Sequence, residues 1–239
     1  MELSCSYICV DKSEIPEKAL EHIDKPIIDR VGGSFAELFP LFAQTFIETT
    51  QVIERDWSSP KLVLKKGVRQ WLINIVVQSE TQNLFFKLQP EFMDKDGELF
   101  DEYHMMLPVS WREIYRWFDS FCVTKEGYCL MDWWNTPFPY AGRLDLDDYE
   151  DGSGASRAQT EQFAKTIGCK REKLRCWLLT ENEDALFINE EACDGKVFHV
   201  NGKALDEITE LFNPQKKLDE YLAHYLSGKS PKSFNWVSD

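Results

Sequence analysis

The sequence predicts an α+β fold, mostly antiparallel sheet packed with helices, on three observations. Apolar runs of strand length, such as WLINIVVQ at residues 71–78, are bounded by polar turn residues. A Ser followed three residues later by Glu or Gln recurs at Ser34/Glu37, Ser110/Glu113 and Ser156/Gln159, the spacing of a helix capping box. Asp194-Gly195 separates two apolar runs, as a hairpin connection does.

Taken in order, LSCSYICV at residues 3–10 alternates, so Leu3, Cys5, Tyr7 and Cys9 would share one face of a strand. Gly32-Gly33 breaks the chain before Ser34, and a helix is expected from there to about Arg55, with Pro40 forcing a late start or a kink. WLINIVVQ and NLFFKL, joined by residues 79–82, read as a hairpin, and residues 93–97 (MDKDG) as a turn. Ser110 caps an amphipathic helix carrying Trp111, Ile114, Tyr115 and Phe118, and Gly127 separates it from an aromatic strand, YCLMDWW.

Residues 145–151 (DLDDYED) followed by Gly-Ser-Gly form the sharpest change of composition, read as a solvated acidic loop. It divides an N-terminal α+β region, 1–150, from a C-terminal one, 151–239, which could pack as one unit. Beyond it, Ser156 starts a helix ending at Gly168, a fit for a left-handed residue after the last turn. Strands follow at 175–179, 185–188 and 196–200, the last two joined by a loop longer than two residues. Asn213-Pro214 opens a final helix with Leu218, Tyr221, Leu222, Tyr225 and Leu226 as its buried stripe, and Gly228 stops it.

The chain has 41 acidic and 27 basic residues, a formal net charge of −14 over 239 residues. That charge repels phosphate backbones and anionic headgroups, so nucleic acid and membrane are not expected partners. No apolar stretch approaches the ~20 residues of a membrane-spanning helix, and the N-terminus lacks the basic and apolar regions of a secretory signal. The cytoplasm is the expected compartment. Seven dispersed cysteines, an odd number, fit reduced, buried thiols there.

No phosphate-binding glycine loop follows a strand, and no Cys or His pair has zinc-ligand spacing. An EF-hand counted from Asp147 fails, because its twelfth position is Ala158 where a bidentate Glu is needed. The four histidines, His22, His104, His199 and His224, lie in no local catalytic signature. No metal, cofactor or catalytic residue is therefore assigned. A site assembled by the fold from distant residues, in a hydrolase or transferase, is the alternative reading.

Residues 107–118, LPVSWREIYRWF, resemble the LP-x-x-[YW] lead into a helix found in the SUKH superfamily, many of whose members are immunity proteins against bacterial toxins. The runs at 185–188, 194–199 and 218–226 are similar to that family's closing strand, turn, strand and helix. The Asn-Gly-Gly common after the family's first helix is here residues 122–127, CVTKEG, and the chain is longer than a single such domain. The resemblance implies a SUKH-like α+β fold in part, no enzymatic activity, and one surface for a cognate toxin.

Together these readings lead to the expectation of a non-enzymatic binding protein whose acidic surface receives a basic protein partner. The expected contacts are Asp145, Asp147, Asp148, Tyr149, Glu150 and Asp151, with Trp133 and Trp134 as aromatic anchors.

Overall fold

Helix formation begins where the capping box sets it. In the computed structural model, which describes residues 8–9, 12–15, 17, 25–66, 71–87, 120–124, 146–180, 184–192 and 194–237, the Ser34 hydroxyl accepts from Glu37 N and the Glu37 carboxylate accepts from Ser34 N. A side chain at Gly33 would place its Cβ 2.6 Å from Glu37 Oε2, so glycine makes room for the box.

The expected single helix is three. After α1 (Lys25–Arg30) come α2 (Phe35–Leu38), α3 (Pro40–Thr45) and α4 (Ile47–Asp56), with breaks at Phe39 and Phe46. The first break follows from Pro40, which lacks an N–H and pushes the residue before it out of the helical region. The second has no local cause in sequence. Phe35, Phe39, Phe42 and Phe46 nevertheless keep helical spacing, are all buried, and pack on one another and on Phe86 at ring separations of 4.9–5.6 Å. Each such ring contributes roughly 1.5–3 kcal/mol by leaving water.

The first sheet runs β1 (Ile8–Cys9), β2 (Lys61–Lys66), β3 (Trp71–Gln78), β4 (Asn83–Lys87), β5 (Ser120–Thr124), all antiparallel and in sequence order. The β3–β4 hairpin has the expected connection, closing with Gln78 opposite Asn83. Leu62, Ile75 and Phe86 stand in one cross-strand row facing the main core.

Residues 146–153 correct the expectation of an acidic loop: they form α5 (Leu146–Ser153). Leu146 and Tyr149 lie three apart and both are buried, so the segment is amphipathic beneath its carboxylates. The division at 150/151 therefore falls inside a helix. Next, α6 (Arg157–Ile167) starts at the Ser156/Gln159 box and ends at Gly168 with φ 84°, the left-handed residue expected there.

The second sheet is β6 (Leu174–Leu179), β7 (Ala185–Asn189), β8 (Val197–Asn201) and β9 (Ala204–Glu210), again antiparallel and in order. Its two faces enter different cores. Trp177, Leu178, Leu186, Ile188 and Val197 join the main cluster with the first sheet, α4 and the last helix; Leu174, Cys176, Ala185, Phe187 and Val200 pack with α5 and α6. Burial on both faces is why β7 reads as an unbroken apolar run, ALFI. The last helix, α7 (Pro214–Leu226), is capped by the Asn213 side chain, which accepts from Lys216 N, and it packs along α4. The described residues form an α+β fold with two antiparallel sheets.

Candidate functional site

The acidic segment is built into the fold through Arg171, in the 3-10 turn Arg171–Lys173 that leads into β6. One guanidinium nitrogen of Arg171 donates to both Asp147 Oδ1 and Glu150 Oε1 at 2.6 Å, and its Nε donates to Thr160 Oγ1 at 3.2 Å. Thr160 in turn donates to Glu150. Arg171 and Glu150 are shielded, at 17% and 16% side-chain exposure, whereas Asp147 is largely open to water. The Arg171 guanidinium, through hydrogen bond and charge, holds the Asp147 carboxyl below the usual aspartate range. Arg171 itself is pushed up, chiefly by its bond to Glu150.

This arrangement redistributes the expected contacts. Tyr149 is fully buried against Phe187, ring centroids 4.9 Å apart and edge to face, so it is corrected from a surface contact to a core residue. Asp147 and Glu150 are joined to Arg171, and Asp151 is exposed. Asp148 lies on α5; Asp145, Trp133 and Trp134 fall outside the described residues, as do the Ser110 helix, the 93–97 turn and the YCLMDWW strand.

A different side chain dominates the described surface. Phe212 is 98% exposed, in the bend between β9 and α7, and Ile47, the first residue of α4, is 55% exposed. Gln215 Nε2 donates to Thr45 O at 3.3 Å, so the two apolar residues flank the junction where the starts of α4 and α7 meet. The sequence carried a signal for Phe212. It precedes the N-cap Asn213, where an apolar residue ordinarily packs against the fourth helical residue; here that residue is Lys217, which offers no apolar partner for a staple.

Among the described residues the buried polar side chains include Asp219, Asp184 and His199. Asp219 turns to the start of α4, and Asp184 lies 3.8 Å from His199 Nε2, both side chains buried. Cys176 is fully buried and its thiol is pushed up by desolvation; Cys169, half-buried, is raised by the same cause and by Glu191. Neither has the electropositive surroundings that activate a thiolate. His224, placed on α7, bonds through Nε2 to Ser230 O at 2.9 Å and Ser233 Oγ at 3.0 Å. Because a carbonyl only accepts, that nitrogen carries the proton.

Among the described residues no group of three or more His, Cys, Asp or Glu side chains is placed to hold a metal ion, and no helix is long and apolar enough to cross a membrane. Compared with protein-family models, with curated proteins and with solved structures, the chain matches none.

Proposed function

We propose that this is a non-enzymatic, cytoplasmic binding protein that receives a basic protein partner, in the manner of an immunity protein holding its cognate toxin. The observation that carries the reading is Phe212, an aromatic ring at 98% exposure in the bend that enters a capped helix. Exposing such a ring costs solubility, and large aromatics held ready on a fixed backbone serve as interface anchors. The net charge of −14 supplies the second element, long-range attraction for a basic surface. Carboxylates spent on Arg171 contribute less to that attraction than their number suggests, so Asp145, Asp148 and Asp151 are the members of the acidic segment assigned to it.

The test is affinity purification from the native cells followed by binding kinetics with the partner recovered. A stoichiometric basic protein is expected, with an association rate that falls as salt is raised. Phe212→Ala is expected to weaken it by about 10- to 100-fold, the loss for an interface anchor. The triple change of Asp145, Asp148 and Asp151 to Asn is expected to slow association and flatten its salt dependence while the fold is kept. A partner bound equally well by the Phe212 variant, at a rate insensitive to salt, would remove the proposal.

A further inference from the structure

Three large apolar side chains stand exposed among the described residues: Phe212 at 98%, Ile47 at 55% and Val237 at 55%. Two of the three come together from distant parts of the chain. Ile47 opens α4, and Phe212 precedes the Asn213 cap of α7. The two helix starts are tied to each other by the bond from Gln215 to Thr45 O and by the Asp219 carboxylate, which accepts from Glu48 N. The fold thus holds an apolar pair on one face, where leaving both side chains in water lowers solubility.

The charges beside that pair have opposite signs on its two sides. Exposed Glu48 follows Ile47 on α4, and Lys216, with 64% of its side chain open to water, lies in the first turn of α7. A surface with an apolar centre, a carboxylate on one flank and an ammonium on the other is complementary to its own copy turned about a two-fold axis. We propose that the Phe212–Ile47 face is an interface between two copies of this chain. Phe212 of each copy packs on Ile47 of the other, and Glu48 of each meets Lys216 of the other. Lys216 Nζ lies 3.3 Å from Glu220 Oε1 in the single chain, an exposed pair that contributes little, so exchanging that contact costs little.

The same features set how tightly two copies hold. One ring and one isoleucine per copy give a patch at the small end of specific interfaces, which makes the dimer weak, with a Kd of about 10 µM to 1 mM. Each copy carries a formal charge of −14, so two copies repel at long range and salt, by screening that repulsion, tightens the dimer. Salt also weakens the two Glu48–Lys216 contacts, but two exposed pairs are outweighed by the repulsion between whole molecules. The interface shares Phe212 with the binding reading above and stands apart from it. A basic partner is attracted by the very charge that drives two copies apart, so salt acts on the two associations in opposite directions.

The experiment is sedimentation velocity on the full chain across that concentration range, at ionic strengths of about 0.01 and 0.15 M, where the screening lengths are ~30 and ~8 Å. A monomer–dimer equilibrium is expected, its Kd falling by about 3- to 10-fold at the higher salt. Phe212→Ala and Ile47→Ser are each expected to weaken the dimer by about tenfold or more. Both side chains are exposed, so the fold is kept, as circular dichroism would verify. Glu48→Lys is expected to weaken the dimer even though it reduces the net charge, and adding Lys216→Glu to restore it. A chain that stays monomeric throughout, a dimer indifferent to Phe212→Ala and Ile47→Ser, or a charge reversal that restores nothing overturns the interface. A monomer that still binds a basic protein through Phe212 would refute this inference and leave the binding reading standing; a dimer with these properties and no basic partner would do the reverse.

Discussion

Asp219 shows how much a single residue settles in this chain. The break at Phe46 starts a new helix, α4, whose first N–H groups have no partner within the helix. Asp219, 170 or so positions later, supplies them: Oδ2 accepts from Glu48 N at 3.0 Å, and Oδ1 accepts from Thr49 N at 2.8 Å and from Thr49 Oγ1 at 2.7 Å. A carboxylate there also complements the positive end of the helix. Asp219→Ala is expected to cost about 2–4 kcal/mol, since it strands the buried Thr49 N–H and the partly buried Glu48 N–H. Asp219→Asn, which keeps an acceptor for one of them, is expected to cost roughly half as much. Phe212→Ala is the contrast, an exposed side chain whose removal shifts stability by less than ~0.5 kcal/mol. Urea midpoints for the three variants check the ordering, and an Asp219→Ala loss below ~1 kcal/mol would mean that water replaces the cap.

At the scale of elements, the Arg171 cluster is what lets an acidic segment be a helix. α5 carries Asp147, Asp148, Glu150 and Asp151 within a single turn and a half, and their repulsion disfavours a compact turn in isolation. Arg171 offsets it by bridging α5 to the turn before β6 and, through Thr160, to α6. Arg171→Met is therefore expected to loosen α5 and α6 against the second sheet, costing about 1–3 kcal/mol for the shielded Glu150 pair. The pH dependence has a definite sign. Asp147 is held below its ordinary range by Arg171, so its contribution is fully present above about pH 4 and is lost as pH falls through the lowered value. Arg171→Met should abolish that acid-side slope, and acid titrations of both proteins followed by circular dichroism would reveal a slope that survives. The cluster also marks the limit of what was legible beforehand. Capping boxes at Ser34 and Ser156, the left-handed Gly168, the Asn213-Pro214 start and the β3–β4 hairpin were readable, because each is written within a few residues. Strands β2, β5 and β9 lay outside the expectation; β2 (KLVLKK) and β9 (ALDEITE) carry charged residues among their apolar ones, which blurs the strand signal. The acidic segment was misread as a loop because the cation that makes it a helix lies 21 residues beyond Glu150. For the candidate site the same holds: Tyr149 looked available beside its carboxylates, and only the Leu146 spacing hinted that it turns inward.

For the molecule as a whole, the arrangement of the cores sets how it unfolds. The main cluster draws Phe35, Ile53, Ile75 and Phe86 from the first half of the chain and Trp177, Leu186, Val197, Leu222 and Trp236 from the second. Neither half can close this core alone: α4 packs on α7, its cap is Asp219, and one face of the second sheet is buried against residues contributed by the first half. The second cluster, under α5 and α6, shares β6, β7 and β8 with the first, because those strands present alternate residues to each. A sheet with a core on both faces transmits the loss of either one to the other. Thermal unfolding is therefore expected to be a single transition, with tryptophan fluorescence and far-ultraviolet circular dichroism coinciding. Cutting the chain at 150/151, the composition boundary, divides α5 and separates α4 from its cap. The fragments 1–150 and 151–239 are expected to be unfolded or aggregated when made separately, and any structure they regain to appear only on mixing. Two resolved transitions in the intact protein, or a folded, monomeric 151–239 fragment with dispersed NMR signals, would show instead that the second sheet and α5–α7 form an independent unit and that the shared cluster is a docking interface between domains.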